Sequence, residues 1–192
     1  MLIVLRLRHG DSGLKPPDHE EIPVRLRLRR KLTGTETHRN PELASSVDRK
    51  FEVPGHDADN DNGGHFATDA APDFVTSWPV HCVAGTHGAE YHPAFDTAAV
   101  GFHLRKGQGV PAYSIFEGHT ESGSSLHNLL DEHGVTDVDV VGIATDYCVR
   151  ASALDALAHG LHVRVLTDLV TGVASDTSAA ALLELGHAGA TL

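Results

Sequence analysis

The second half of the sequence alternates short apolar runs with amphipathic segments, and this alternation restricts the possible folds more than any other feature. The run from Val138 to Ala144 is rich in β-branched residues, which is typical of a buried parallel strand. Apolar residues then recur at helical spacing as far as Gly160, and a second strand-like run covers Leu161–Leu166. The order α-β-α-β-α predicts right-handed crossovers and a parallel sheet. The expected helix caps are Ser124 or Ser125, Thr145 or Asp146, and Asp176 or Thr177. The expected helix ends are Gly134, Gly160 and Gly186.

Cys148 stands where the strand Val138–Ala144 passes into the following helix. Backbone N–H groups and the positive end of a helix dipole stabilise a thiolate at such a position. The carboxyl edge of an open α/β sheet is also where ligands bind. Cys148 is therefore a candidate nucleophile, with a buried structural cysteine as the alternative. Lys106 precedes two glycines and is a candidate cation at the same edge, although a lone lysine is more often solvated.

Composition limits the kind of protein that this chain can be. Its 192 residues suffice for one domain with a real core, and we expect a single domain over residues 1–192. The net charge of −11 argues against nucleic acid or an anionic membrane as a partner. No apolar run reaches membrane-spanning length, and Met1–Leu5 is too short for a signal-peptide core. Two cysteines make no disulfide framework, so a reduced cytoplasm is the expected setting.

Charge is distributed unevenly, with a net +4 in residues 1–50 and −15 in residues 51–192. The basic run Arg25–Lys31 supplies much of the difference. We interpret it as a solvated strand or arm, with a short nucleic-acid contact as the less favoured alternative.

A segment rich in aspartate and histidine precedes the middle of the chain and raises the question of a metal. Carboxylate and imidazole ligands together suit Zn, Mn or Fe. A calcium loop fits poorly, because Asn62 and Thr68 stand where that pattern requires Gly and Glu. An acidic surface turn with stray histidines is the other alternative. The candidate ligands are Asp57, Asp59, Asp61, His65 and His81.

Three segments in order resemble the nicotinamidase/pyrazinamidase branch of the isochorismatase-like cysteine hydrolases. They are SWPVHCVAGTHGAEYHP at Ser77–Pro93, LRKGQGVPAYSIFEG at Leu104–Gly118 and GIATDYCVRASALDAL at Gly142–Leu157. The resemblance begins at about His65 and runs to the end of the chain. It implies a three-layer α/β/α fold around a central, mainly parallel sheet.

The resemblance also implies roles for particular residues. Cys148 matches the nucleophile, and Lys106 matches the lysine beside it. Ile143 and Ala144 match a pair joined by a non-proline cis peptide, with backbone N–H groups near Ala144 and Cys148 as oxyanion donors. Trp78, Tyr113 and Ile143 match residues of the nicotinamide pocket.

One divalent metal ion is implied as well, held by residues that match the family's metal ligands. His65 and His81 match two histidines, and Asp57 matches an aspartate. Asp59 stands where the family has another histidine, and its harder oxygen would favour Mn or Fe over Zn.

The N-terminal third departs from the family pattern. Arg6 stands roughly where the family has its carboxylate base, and Asp11 is the nearest carboxylate. If the segment is native, we expect Met1–Leu7 to form a central parallel strand beside Val138–Ala144. Residues 1–50 should then be the least well packed part of the chain, and Arg6→Asp should raise activity. A diverged N-terminus and an altered reading frame both remain open.

The resemblance implies hydrolysis of nicotinamide to nicotinate and ammonia, and of pyrazinamide to pyrazinoate, through a cysteine thioester. The first alternative is a non-catalytic or impaired member of the fold, because the carboxylate base is missing. The second is a related hydrolase with another substrate, such as isochorismate. Nicotinamide is the expected small-molecule partner, and the chain is expected to be a monomer or a homo-oligomer.

Overall fold

The computed structural model describes residues 3–8, 50–52, 63–67, 71–95 and 97–192, with backbone alone at 3–8, 50–52 and 99. Asp11, Asp57, Asp59, Asp61 and the basic run Arg25–Lys31 lie outside the described residues. The described strands are β1 (Ile3–Arg8), β2 (Lys50–Glu52), β3 (Phe102–His103), β4 (Asp137–Ile143) and β5 (His162–Thr171). The described helices are α1 (Leu126–Glu132), α2 (Arg150–Ala158) and α3 (Ser175–Ala188), with a π-helical turn at Thr145–Val149 before α2.

The strands form one sheet in the order β3-β2-β1-β4-β5. β4 pairs with β5 in parallel and β2 with β3 in parallel, whereas β1 is antiparallel to both β2 and β4. Four of the five described strands therefore run in the same direction. The α/β class with a mainly parallel sheet is confirmed.

β1 lies beside β4 as expected, but its predicted parallel direction is wrong. The antiparallel register places Ile3 opposite Gly142, Arg6 opposite Asp139 and Arg8 opposite Asp137. The carboxyl end of β1 consequently lies at the amino end of β4, away from the edge that carries Cys148.

β4 is the centre of the described core. Val138, Val140 and their neighbour Val141 are buried, and so is Asp139 between them. Burial of consecutive residues covers both faces of the strand, which is the expected pattern for a strand inside a parallel sheet. The Asp139 carboxylate accepts two hydrogen bonds from the Arg164 guanidinium, at 2.9 and 2.7 Å, so its buried charge is paired.

The predicted cap and end of α1 and the predicted carboxyl end of α2 agree with the structure, whereas Thr145 and Asp146 lie in the π-helical turn and do not cap α2. The Ser125 hydroxyl caps α1 by accepting a hydrogen bond from the Asn128 amide at 3.3 Å. Gly134 and Gly160 follow the two helices with φ of 58° and 80°, which are left-handed values that favour glycine.

The predicted limits of α3 are wrong at both ends. The helix begins at Ser175, so Asp176 and Thr177 lie inside its first turn and do not cap it. It also continues through Gly186, because glycine inside a helix costs only about 1 kcal/mol relative to alanine. The helix ends at Gly189, whose φ of 108° supplies the left-handed cap.

α3, with 14 residues, is the longest described helix. A bilayer-spanning helix needs about 20 apolar residues. Among the described residues, no helix combines the length and the apolar character that crossing a membrane requires.

Candidate active site

Cys148 lies in the π-helical turn Thr145–Val149, directly after β4, and is fully buried. The amides of Tyr147 and Val149 both donate to the Ala144 carbonyl, at 3.1 and 3.0 Å, and so fold the chain back at the end of the strand. The sequence placed Cys148 in the first turn of an α-helix. The structure keeps that location at the carboxyl edge of the sheet but gives the turn π geometry.

Lys106 reaches Cys148 from the segment that follows β3. Its side chain is 2% exposed, and its ammonium donates to the Ala112 carbonyl at 2.5 Å and to Cys148 Sγ at 3.5 Å. The two residues are 42 positions apart in the sequence. The structure therefore brings together the cysteine and the lysine that the sequence analysis selected.

Burial and mutual attraction act in opposite directions on this pair. Burial lowers the pKa of Lys106, while the neighbouring Cys148 acts to raise it. Burial raises the pKa of Cys148, while the charge and hydrogen bond of Lys106 and a hydrogen bond to the Ala144 backbone act to lower it. Burial thus favours the neutral forms of both groups, the Cys148 thiol and the Lys106 amine. The charge of each group favours the charged form of the other. A proton can pass between the two groups without either being left as an isolated buried charge.

The peptide bond between Ile143 and Ala144 is cis, as the resemblance implied. Ile143 is 43% exposed at the end of β4, so its side chain reaches the solvent edge of the site. Ala144 follows it and begins the turn that carries Cys148.

Aromatic side chains form one wall beside this edge. Trp78 Nε1 donates to the Tyr113 hydroxyl at 3.0 Å, so the two predicted pocket residues are in contact. Tyr147 completes the wall, with its ring centroid 4.8 Å from that of Trp78 and 5.5 Å from that of Tyr113. Tyr147 is not among the residues predicted from the sequence, although its position next to Cys148 in TDYCV could have indicated it.

His65 and His81 are also brought together, with ring centroids 5.2 Å apart. The bridge between Phe66 and Trp78 aligns the two segments, with the Trp78 amide donating to the His65 carbonyl at 2.9 Å. Gly63 has φ of 65°, and a Cβ there would lie 2.7 Å from Pro111 Cδ. Glycine therefore lets the turn before His65 approach the loop between Lys106 and Tyr113.

His65 and His81 supply the candidate metal-binding imidazoles. His81 Nδ1 lies 2.7 Å from the Pro79 carbonyl, which can only accept, so this nitrogen carries a proton. Burial, with the charges of His81 and Lys106, lowers the pKa of His65 to about 4 and keeps that ring neutral near pH 7. The described residues hold no group of three or more metal-ligating side chains, and Asp57 lies outside them.

Comparison with known proteins relates this site to one family. The isochorismatase domain model matches residues 50–192. The nicotinamidase/pyrazinamidase of Mycobacterium tuberculosis is 49% identical over 150 residues, which are 78% of this chain and 80% of that protein.

Two solved structures share the fold. The pyrazinamidase of Pyrococcus horikoshii in complex with zinc is 36% identical, with a TM-score of 0.59 and 72% of each chain covered. The PnC1 protein of L. infantum in complex with nicotinate is 34% identical, with a TM-score of 0.60 over 73% of this chain and 69% of that one. The chain belongs to the isochorismatase domain family.

Proposed function

We propose that this protein hydrolyses nicotinamide to nicotinate and ammonia, and pyrazinamide to pyrazinoate and ammonia. The observation that carries the proposal is the buried contact between Lys106 Nζ and Cys148 Sγ, beside the aromatic wall of Trp78 and Tyr113. A thiol–amine pair next to flat aromatic surfaces suits an amide attached to a planar ring. The relative from M. tuberculosis is named for both substrates, which supports the same assignment.

The first half of the reaction forms a thioester. The Cys148 proton passes to Lys106, and the thiolate attacks the carboxamide carbon, so that a C–S bond forms and the carbonyl π pair moves to oxygen. Backbone N–H groups near Ala144 and Cys148 would hold that oxyanion. The C–N bond then breaks, and the nitrogen leaves as ammonia with the proton that Lys106 carried.

The second half restores the enzyme. Water attacks the thioester carbon and gives one proton to Lys106, and the C–S bond breaks to regenerate the Cys148 thiolate. The acid product loses its remaining proton to ammonia in solution. Lys106 thus carries one proton in each half, a role that its contact with Cys148 allows.

The aromatic residues orient the substrate in this proposal. Trp78 and Tyr113 offer ring faces and edges to the pyridine or pyrazine ring, and Tyr147 supports both. Ile143, at the exposed end of β4, would border the pocket on the side of the sheet.

One divalent metal ion, Zn, Mn or Fe, would be held by His65 and His81 together with Asp57. When bound, it would act as a Lewis acid on the ring nitrogen of the substrate and orient the ring. The meeting of the two imidazoles, with ring centroids 5.2 Å apart, supports this assignment. His65 also contacts the aromatic wall, 5.9 Å from Tyr113 between ring centroids, so the metal would lie beside the pocket.

Metal content tests the assignment without reference to activity. Elemental analysis after gentle dialysis should find about one divalent ion per chain. His65→Ala and His81→Ala should lose it. His87→Ala is the matched control, because His87 is an exposed histidine of the same loop that pairs with Glu90. Equal metal content in all four proteins would contradict the site.

A non-catalytic member of the family is the second candidate, and the position of Arg6 favours it. Arg6 lies opposite Asp139, four residues before Ile143, which corresponds to about 13 Å along the strand. Arg6, which stands roughly where the family has its carboxylate base, therefore does not lie at the edge of the sheet that carries Cys148. Loss of a general base typically costs about 10²–10⁴-fold in rate.

Ammonia release from nicotinamide separates the two candidates. The proposed function predicts release by the purified protein that exceeds that of Cys148→Ala by at least about 10²-fold. Release equal to that of Cys148→Ala would leave the non-catalytic candidate. Thermal unfolding of both proteins controls for a loss of fold in the variant.

A further inference from the structure

Phe74 connects the aromatic wall to solvent. Its ring meets Trp78 edge to face, with centroids 5.9 Å apart and planes 88° apart. Its carbonyl accepts a hydrogen bond from the Tyr147 hydroxyl at 3.0 Å. The Phe74 side chain is 51% exposed, so one side of the ring lies on the wall and the other faces water. One residue therefore contacts both Trp78 and Tyr147 from outside.

The turn that carries Phe74 is fixed by Asp73. Asp73 Oδ1 accepts hydrogen bonds from the amides of Val75, Thr76 and Ser77, at 2.9, 2.8 and 2.8 Å, and Oδ2 accepts one from the Thr76 hydroxyl. These bonds hold the pKa of Asp73 well below its usual range, so the carboxylate stays charged near neutral pH. Phe74 itself has φ of 58°, a left-handed value that is uncommon for a bulky residue. The turn holds Phe74 against Trp78 despite that conformation.

We propose that Phe74 is a specificity-determining residue that closes the outer side of the ring pocket. This inference rests on the proposed function, because it assumes that the substrate ring binds against Trp78. With Phe74 in place, Trp78 is held by Tyr113, Tyr147 and Phe74, and a substituent on the outer side of the substrate ring meets the Phe74 ring. Removal of that ring opens the wall to solvent. Phe74 therefore excludes ring-substituted carboxamides in favour of unsubstituted ones.

Trp78 provides a direct measurement, because it is the only tryptophan in the sequence. Quenching of its fluorescence reports ligand binding whether or not the ligand is hydrolysed. The ligands are nicotinamide and a set of monomethyl nicotinamides, each with its methyl group at a different free ring carbon. The proteins are the unmodified chain, Phe74→Ala, Phe74→Tyr and Val75→Ala. Val75 is the matched control, because it is 67% exposed in the same turn.

The measured quantity is the affinity for each methylated nicotinamide divided by the affinity for nicotinamide. For at least one methylated ligand, this ratio should be about tenfold higher in Phe74→Ala than in the unmodified protein. One methyl group in an apolar pocket is worth about that factor. Phe74→Tyr should keep the original selectivity, and so should Val75→Ala. Unchanged relative affinities in Phe74→Ala would overturn the proposal. If nicotinamide fails to quench Trp78 in the unmodified protein, the proposed function fails first, and the inference about Phe74 fails with it.

Discussion

At the scale of single residues, the site depends on two buried groups, each of which favours the charged form of the other while burial opposes both. The sequence indicated Cys148 because it follows an apolar strand, and indicated Lys106 because a matching segment contains it. Neither pattern could predict the 2% exposure of Lys106 or its hydrogen bond to the Ala112 carbonyl. That contact depends on how the loop after Lys106 folds back, which no local periodicity encodes.

The reactivity of Cys148 should depend on the charge of Lys106. Lys106→Met removes the cation that opposes burial, so the pKa of the thiol should rise. We expect the pH midpoint for alkylation of Cys148 by iodoacetamide to move upward by about one to three pH units. The measurement is made in a Cys82→Ala background so that one thiol reacts.

Arg105→Met is the control for this experiment, because Arg105 is an exposed cation one residue before Lys106. Its alkylation midpoint should match that of the parent protein. A midpoint in Lys106→Met that stays in place or moves to lower pH would show that Lys106 does not stabilise the thiolate.

At the scale of elements, the order of strands and helices followed from periodicity, but the helix boundaries did not. The sequence assigned the cap of α3 to Asp176 or Thr177, which are local candidates. In the structure, Asp146 from the cysteine turn accepts hydrogen bonds from the amides of Val173 and Ala174 at 3.0 and 3.2 Å and from the Thr177 hydroxyl. α3 has no side-chain cap, and contacts supplied from 27 or more residues away cannot be recognised in a local window. Asp146 also ties the turn of Cys148 to the start of α3.

Asp146→Ala should therefore destabilise the protein by about 1 kcal/mol, the usual net value of a lost hydrogen bond. Asp176→Ala should cost less, because Asp176 accepts only a long hydrogen bond of 3.4 Å from Ser175. Urea unfolding at pH 7 measures both variants. A larger loss in Asp176→Ala than in Asp146→Ala would contradict the assignment.

The stabilising effect of Asp146 should also depend on pH. Burial alone would raise its pKa, but the hydrogen bonds from Thr177, Val173 and Ala174 outweigh burial and lower it. A carboxyl whose folded pKa is depressed stabilises the fold fully above its unfolded pKa of about 4. That contribution is lost as the pH falls through the folded value. The stability difference between the parent and Asp146→Ala should shrink below pH 4, and a difference that grows there would contradict this account.

β1 gives a further prediction at this scale, and it replaces the expectation from the sequence. Arg6→Asp should not raise amidase activity, because position 6 lies opposite Asp139 and far from the cysteine edge. Arg6→Gln controls for loss of the positive charge alone. A gain in ammonia release by Arg6→Asp would contradict the antiparallel register.

At the scale of the whole molecule, four separate segments converge on one sheet edge. The carboxyl end of β4 supplies Cys148, the segment after β3 supplies Lys106, and the bridged segments of His65 and Trp78 supply the wall and the histidine pair. The sequence predicted that Cys148 and Lys106 share this edge, because the carboxyl ends of parallel strands meet there. The direction of β1 could not be predicted from the sequence, because a short apolar strand with alternating arginines can pair in either direction. The direction is set by its pairing with the neighbouring strands β2 and β4.

The central claim is that Cys148 forms a thioester with the substrate, and the most direct test is to trap that intermediate. The protein is mixed with nicotinamide, quenched with acid during turnover and analysed by intact-mass and peptide mass spectrometry. The account predicts one nicotinoyl group per chain, attached to the peptide that contains Cys148 and absent from Cys148→Ala. Ammonia release without any nicotinoyl group on Cys148, or equal release by Cys148→Ala, would contradict it.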